Sequence, residues 1–281
     1  FAVAAKAGAF YVGVEGEVFL GGITAAYIGI NWTFLPKPAL YVACFVGAMV
    51  VAAAWAFIPA VLRAYYNVNE VCTTILMNTV ALYITSYLVS GPMSAGTANA
   101  QSLPVTVRLY QFMKPSSVNV GIFIAAITVI VIIFMLQKSS WGYKIRTVGL
   151  NPTHADYVGI DSKKVFVGAM MLSGMLGGMA GCIEVLGVHG YFLNNFATGL
   201  GSNGMLAALI VKNNMVSTPF MAFFLAVLKS GAMGMQQSTG VPKSLVDTIT
   251  AVFIIIATME TAFQFTKKRK KKTEEKKEDK A

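Results

Sequence analysis

Long apolar segments separated by short polar stretches are the feature that most restricts how this chain can fold. A helix that crosses the hydrocarbon core of a bilayer needs about 20 predominantly apolar residues. Segments of this kind recur at residues 8–30, 39–60, 71–89, 118–136, 165–187, 220–235 and 245–265. Only 12% of the residues are charged, whereas a soluble domain has about 25%. The pattern predicts an all-α fold, a polytopic transmembrane helical bundle.

The distribution of Lys and Arg predicts the orientation of these segments. Basic residues concentrate at 138–164 and at 267–281, and the positive-inside rule places both regions in the cytoplasm. An even number of crossings must separate them, so the shorter apolar piece 198–211 counts as a crossing or a broken helix. This gives about eight membrane segments in a domain over residues 1–266. Residues 90–117 then form an outer loop.

The C-terminal tail accounts for much of the positive charge. The chain has a net charge of +10. Nine Lys or Arg and four Asp or Glu lie at 267–280, so this tail contributes 9 − 4 = +5 of it. Such low-complexity sequence predicts a disordered cytoplasmic tail over 267–281. The excess charge relates to topology and to lipid head groups, and it does not indicate nucleic acid as a partner.

The basic stretch 138–164 contains the signals of one short helix. Asn151 followed by Pro152 is typical of an N-cap and a first helical position, and Gly159 lies where a left-handed C-terminal cap is expected. These residues predict a helix over 152–158. About seven residues are too few for a helix to persist alone in water. The helix therefore needs a membrane surface or a partner protein to lie against.

Four stretches of the sequence resemble one transporter family. The run GYKIRTVGLNPTHADYVGI at 142–160 resembles the cytoplasmic coupling loop of permease subunits of ATP-binding-cassette (ABC) importers for simple sugars and nucleosides. Similar in the same way are GVEGEVFLGG at 13–22, NEVCTTILMNTVALY at 69–83 and GLGSNGMLAALIVKNN at 199–214. The nucleoside-type members are the most similar. The resemblance therefore covers most of the chain.

This resemblance implies a function and a set of partners. The chain would form the translocation pathway in a prokaryotic plasma membrane, beside a second homologous permease, an ATP-binding subunit and an extracytoplasmic solute-binding protein, either lipid-anchored or periplasmic. It would bind no cofactor itself, and the partner subunit would use ATP to drive alternating access through the short helix. An N-terminal piece with one or two further spans is expected before Phe1. The residues that would contact the ATPase are Gly149, Asn151, Pro152, His154, Ala155, Asp156, Tyr157 and Gly159.

Polar residues within the apolar segments are candidates for the pathway. Glu15, Glu17 and Glu184 lie in or beside spans, where an ionised carboxylate normally faces water or a partner. Hydrogen bonding to glycine-rich backbone, contact with the passage and proton relay all remain open for them. Asn78, Asn194 and Asn195 are further candidates to line the passage. By contrast, the glycines of the overlapping GxxxG patterns at 174–181 are expected to serve helix packing within the subunit.

No pattern in the sequence predicts catalysis or a metal site. Gly199, Gly201 and Gly204 fit GxGxxG, but no acidic residue follows over 205–246, as a dinucleotide site requires. There is no GxxxxGK[ST] loop, and His154 and His189 lack neighbouring metal ligands. The chain is therefore predicted not to be an enzyme. The rival hypotheses are a permease for ribose-like sugars, an ion-coupled secondary transporter that uses Glu184, and a non-transporting scaffold.

Overall fold

The computed structural model of the chain describes residues 1–97, 99–112 and 117–239, together with 248, 251 and 252. In these residues the fold is all-α, as predicted, and the only β-type pairing in them consists of isolated bridges. The helices are α1 (Ala2–Lys6), α2 (Val14–Asn31), α3 (Lys37–Tyr66), α4 (Glu70–Ser90), α5 (Gly121–Lys138), α6 (Ser140–Leu150), α7 (Pro152–Tyr157), α8 (Ser162–Ile183), a π-helix (Glu184–His189), α9 (Leu200–Ile210) and α10 (Ser217–Thr239).

Among the described residues, five helices are long and apolar enough to cross a membrane. They are α3, α4, α5, α10 and the continuous stretch Ser162–His189, which α8 and the π-helix form together. Four of them contain a predicted segment in full, and α5 begins three residues after the predicted start at 118. The faces of α5 that contact no other helix carry large apolar side chains, which suits a lipid environment. These exposed residues are Ile122, Phe123, Ile127, Ile130, Val131 and Phe134.

The predicted count of about eight membrane segments is not confirmed. The segment 8–30 forms α2, whose 18 residues begin later than predicted and include Glu15 and Glu17 in the first turn, so α2 is not among the apolar spans. The piece 198–211 forms α9, whose 11 residues extend only about 16 Å. The segment 245–265 lies almost entirely outside the described residues.

Small residues allow α3 and α8 to approach each other closely. A Cβ on Gly174 would lie 2.9 Å from the Ala52 carbonyl oxygen, and one on Gly178 would meet the Ala48 carbonyl. In lipid, close packing replaces the hydrophobic effect as the force that associates helices. The α3 side of this contact is a stripe of fully buried alanines at four-residue spacing, Ala48, Ala52, Ala56 and Ala60.

The second GxxxG pattern of α8 faces α2. A Cβ on Gly177 would lie 3.0 Å from the Cβ of Glu17, and one on Gly181 would lie 2.8 Å from the backbone nitrogen of Gly22. The two overlapping patterns thus pack α8 against two different helices of the same chain. The prediction that these glycines serve packing within the subunit is confirmed.

The longest helix, α3, continues past its predicted end near residue 60. Its 30 residues correspond to about 45 Å, which exceeds the ~30 Å hydrocarbon core of a bilayer. It ends where Asn67 adopts a left-handed conformation (φ 53°). Across this turn, Arg63 of α3 and Glu70 of α4 form an ion pair of 3.0 Å.

The connection between α4 and α5 lies against the segment that follows α8. It runs antiparallel to residues 186–194, and hydrogen bonds between backbone groups join the two. The donors and acceptors are Leu109 N to Leu186 O (2.9 Å), Val105 N to Gly190 O (2.9 Å), Ser102 N to Phe192 O (2.8 Å) and Asn194 N to Ala100 O (2.9 Å). These bonds satisfy carbonyl groups that the π-helix and the non-helical backbone after it leave free.

The chain divides into two compact units, Phe1–Met205 and Leu206–Ala281. The first contains α1 to α8 and the π-helix. In the second, α9 ends in a turn where Lys212 and Asn213 have positive φ (53° and 56°). The Asn214 carbonyl then accepts a hydrogen bond of 2.9 Å from the Thr218 backbone nitrogen at the start of α10.

Candidate functional site

The short helix α7 is capped at its N-terminus as the sequence predicts. The side-chain oxygen of Asn151 accepts a hydrogen bond of 3.0 Å from the backbone nitrogen of His154. Pro152 occupies the first turn, where a missing N–H costs nothing because it would have no partner in the helix. Local sequence alone is therefore sufficient to begin this helix.

Gly159 terminates α7 in a left-handed conformation with φ +80°. The backbone nitrogen of Gly159 donates to the Asp156 carbonyl (3.1 Å), and that of Ile160 donates to the Ala155 carbonyl (2.9 Å). This pair of bonds is the Schellman motif, which satisfies the last free carbonyls of a helix. A Cβ on Gly159 would meet nothing within 4 Å. Glycine is therefore favoured here by backbone conformation and not by space.

Two aspartates fix the joint between α7 and α8. The Asp156 carboxylate accepts hydrogen bonds from the backbone nitrogen (3.0 Å) and the hydroxyl (2.9 Å) of Ser162. Asp161 caps α8 by accepting from the Lys164 backbone nitrogen (3.1 Å), and it forms an ion pair of 3.0 Å with the Lys164 ammonium. The backbone hydrogen bond from Lys164 is the main cause that lowers the pKa of Asp161.

One side of α7 is buried and the other presents large side chains to solvent. Ala155 is fully buried, whereas Tyr157 is 86% and Leu150 88% exposed. Gly149 lies against the backbone of Lys6, so that a Cβ would collide with the Lys6 carbonyl. The predicted coupling residues thus lie together around one short helix. Large side chains beside it are exposed.

The connection 138–164 also contains a helix that the sequence analysis did not predict. In α6, the Ser139 hydroxyl accepts a hydrogen bond of 3.1 Å from the Gly142 backbone nitrogen. Ile145 and Val148 are buried on one face. An N-cap serine followed by apolar residues three apart was the available signal. This helix holds α7 at the end of α5.

Glu15 and Asn78 are engaged by backbone groups around α2. The Asn78 side chain accepts from the Gly16 nitrogen and donates to the Val12 carbonyl, both at 2.9 Å. The Glu15 carboxylate accepts a hydrogen bond of 2.8 Å from the Gly199 nitrogen. Asn78 therefore joins α4 to the start of α2, and Glu15 joins the start of α2 to the non-helical backbone at Gly199. Of the three roles that the sequence left open for Glu15, the bond from Gly199 corresponds to hydrogen bonding with glycine-rich backbone.

Asn194 and Asn195 lie in the non-helical segment between the π-helix and α9. The Asn194 side-chain nitrogen donates to the Ser86 hydroxyl of α4 at 3.2 Å, and its side-chain oxygen is buried without a partner among the described residues. Asn195 is exposed and has φ +60°. Asn194 thus offers a hydrogen-bond acceptor in the interior, whereas Asn195 supplies a left-handed turn.

Glu184 begins the π-helix and His189 ends it. The two side chains interact electrostatically, and the imidazole ring packs at 5.9 Å from the Phe196 ring and 6.2 Å from the Tyr191 ring. The Glu184 carboxylate makes no hydrogen bond with the part of the chain that the structure describes. The aromatic residues around His189 were not predictable from the sequence, because the Phe196 contact depends on the turn at 190–199.

Glu17 lies apart from these residues, in the packed interior. It is fully buried and accepts a hydrogen bond from the Tyr11 hydroxyl. Its second oxygen has no partner within the described part of the chain, and it lies 2.8 Å from the position of a Cβ on Gly177. The structure thus brings Glu17 into the α2–α8 contact and separates it from Glu184. Within the described ranges, no group of His, Cys, Asp and Glu could hold a metal ion.

The comparison with known families decides the class of this protein. The family described as branched-chain amino acid transport system / permease component matches residues 1–258. The chain belongs to this permease family. The predicted family and the multi-pass membrane architecture are thereby confirmed, and so is the prediction that the chain is not an enzyme, because members of the family are permease subunits of transporters.

Several relatives of this permease have transport functions in their names. The guanosine ABC transporter permease protein NupP of Bacillus subtilis is 32% identical over 96% of this chain and 79% of its own length. The glucose ABC transporter permease protein TsgB13 of Haloferax volcanii is 33% identical, with 89% and 69% covered. The nucleoside ABC transporter permease protein NupB of Lactococcus lactis is 29% identical, with 90% and 73% covered. No solved structure matches the chain.

Proposed function

We propose that this permease forms the translocation pathway of an ATP-driven importer for nucleosides. The observation that carries the proposal is the similarity to NupP, a guanosine permease, over 96% of the chain. The similarity to NupB supports it. In this proposal the polar residues Glu15, Asn78, Glu184, Asn194 and Asn195 lie along or beside the passage.

Energy enters the permease through α7 on the cytoplasmic side. The helix is capped at both ends and joined to α8 by Asp156 and Ser162, so a push on its exposed side is transmitted to α8. Tyr157 and Leu150 are the most exposed large side chains near it and supply contact area for an ATP-binding subunit. That subunit binds and hydrolyses ATP, and this chain binds no cofactor. A second permease and an extracytoplasmic solute-binding lipoprotein complete the assembly.

A permease for simple sugars is the second candidate. TsgB13, a glucose permease, is as similar to this chain as NupP is, at 33% against 32% identity. Glucose and guanosine both contain a ring with neighbouring hydroxyl groups. The two candidate solutes therefore share this diol-bearing ring and differ in the remainder of the molecule.

Uptake into proteoliposomes tests the proposal and separates it from its rivals. The permease is reconstituted with its partner subunits and binding protein, and the uptake of radiolabelled guanosine and glucose is measured. We expect ATP-dependent accumulation of guanosine, and none from the isolated chain. Preferential accumulation of glucose would favour the second candidate. Accumulation driven by a pH or sodium gradient without ATP would show an ion-coupled secondary transporter instead.

A further inference from the structure

Glu184 lies on a partly exposed face of α8 and the π-helix, and it is itself half-buried. Ala180, one turn earlier, is exposed, and Val188, one turn later, is partly exposed. The residues before and after Glu184 pack against other helices. Val185 lies against α2, where a Cβ on Gly22 would be 3.1 Å from the Val185 side chain. Ile183, on the other side, packs against Gly121 at the start of α5. Glu184 therefore points between these two contacts.

A carboxylate at such a position is unfavourable if it faces lipid. Ionisable side chains in membrane segments face a water-filled cavity or a polar partner for this reason. The other two carboxylates near the start of α2 already have hydrogen-bond donors, from Gly199 to Glu15 and from Tyr11 to Glu17. Glu184 has none from the described part of the chain. Its accessible carboxylate therefore lacks the donors that a bound solute can supply.

The winding of the π-helix brings a second polar group to the carboxylate. Residues five apart are joined by the backbone hydrogen bonds of a π-helix, and Glu184 and His189 have this spacing at the two ends of the same turn. π-Helical turns within α-helices are frequent at functional sites. The imidazole is in turn flanked by the rings of Tyr191 and Phe196. An acid, an imidazole and aromatic rings thus lie together at one end of a membrane span.

We propose that Glu184 and His189 bind the neighbouring ring hydroxyl groups of the transported solute. This inference rests on the proposed function and adds the part of the solute that the permease itself recognises. Two oxygens of one carboxylate can accept hydrogen bonds from two adjacent hydroxyls, and hydrogen bonds to a charged acceptor are the stronger ones. The imidazole can donate or accept a third bond. The aromatic rings offer apolar contact to the carbon atoms of the sugar ring, which ribose and glucose share.

Cysteine labelling in the complete transporter tests this site. Val188 is replaced by cysteine, Cys72, the exposed native cysteine, is replaced by serine, and the buried Cys44 and Cys182 are retained. A water-soluble methanethiosulfonate reagent is applied with and without guanosine, 2′,3′-dideoxyguanosine or glucose. We expect position 188 to react, and guanosine to slow the reaction at a concentration at least about tenfold lower than dideoxyguanosine does, since a charged hydrogen bond is worth about this factor.

The Glu184→Gln change, made in the same background, gives the decisive comparison. It keeps the size of the side chain and removes its charge, so guanosine and dideoxyguanosine should then protect at similar concentrations. The matched control is Glu70→Gln at the ion pair between α3 and α4, which should leave the difference unchanged. Uptake of guanosine and glucose by the unlabelled parent is measured in parallel.

Several results would overturn the inference. If position 188 does not react while uptake is normal, this face is packed against lipid or a partner and is not in the passage. If the preference for guanosine over dideoxyguanosine is absent, or survives Glu184→Gln, the carboxylate does not bind the hydroxyl groups. Failure of the parent to take up either solute would instead contradict the proposed function, and this inference with it.

Discussion

Gly159 is the residue on which the shape of α7 depends most directly. A β-branched residue adopts the left-handed conformation only at a cost of roughly 1–2 kcal/mol, which is enough to fray a six-residue helix but too little to unfold the bundle. In Gly159→Val we therefore expect normal assembly, with reduced uptake and reduced stimulation of ATP hydrolysis by loaded binding protein. Hydrolysis and uptake are measured on equal amounts of purified complex.

The control for this change is Gly159→Asn. Asparagine tolerates positive φ far better than valine, and a Cβ at this position meets no other atom within 4 Å. The two variants thus differ mainly in backbone preference. Asn should retain most of the coupling that Val loses. Equal activity of parent, Asn and Val variants would show that α7 is a surface turn with no part in coupling.

The contact between α3 and α8 leaves no space for a larger residue at its centre. A Cβ on Gly178 would collide with the Ala48 carbonyl, whereas one on Gly231 of α10 would meet nothing within 4 Å. Gly178→Ala should destabilise the permease by about 1–3 kcal/mol, as overpacked sites do. Gly231→Ala should be neutral or stabilising, because alanine favours a helix more than glycine. The midpoint of thermal unfolding in detergent measures both. A lower midpoint for Gly231→Ala alone would contradict this account of the packing.

The connection between α4 and α5 depends on a buried serine. The Ser102 hydroxyl accepts a hydrogen bond of 2.9 Å from the Phe192 backbone nitrogen. Ser102→Ala leaves that buried N–H without its partner, which costs about 1–3 kcal/mol, so we expect faster proteolysis of the connection. Ser94→Ala is the control, because the bond that Ser94 accepts from Gly96 is exposed and water can replace it. Equal cleavage of the two variants would show that Ser102 does not hold the connection.

For the molecule as a whole, the central prediction is its orientation. The connections on either side of α5 should lie on opposite sides of the membrane, since α5 is long and apolar enough to cross it. With Cys72→Ser as background, an impermeant thiol reagent added to intact cells should label Asn99→Cys and not Lys144→Cys. Labelling of both after lysis is the control. The reverse pattern would place α7 outside and exclude its contact with an ATPase.

Local sequence was sufficient for some of these features and not for others. The ends of α7 were predictable because Asn151, Pro152 and Gly159 act on their own neighbours. The spans of α3, α4 and α5 were predictable because apolar length alone decides them. The bond from Gly199 to Glu15 and the contact of His189 with Phe196 were not, since they join residues that only the tertiary fold brings together. The start of α2 was predicted too early because residues 9–12 are apolar like a span, whereas in the fold they form non-helical backbone that the Asn78 side chain binds at Val12.

The glycine and alanine seam between α3 and α8 has a consequence for how related sequences can diverge. At Gly178 the helix already carries the smallest residue, and the opposing Ala48 and Ala52 have almost no volume to give up. A larger side chain at Gly178 would meet the Ala48 carbonyl, and because every residue carries this backbone group, no substitution at position 48 makes room for it. Position 178 should therefore stay glycine among related sequences, whereas the lipid-facing residues of α5 are free to change one at a time.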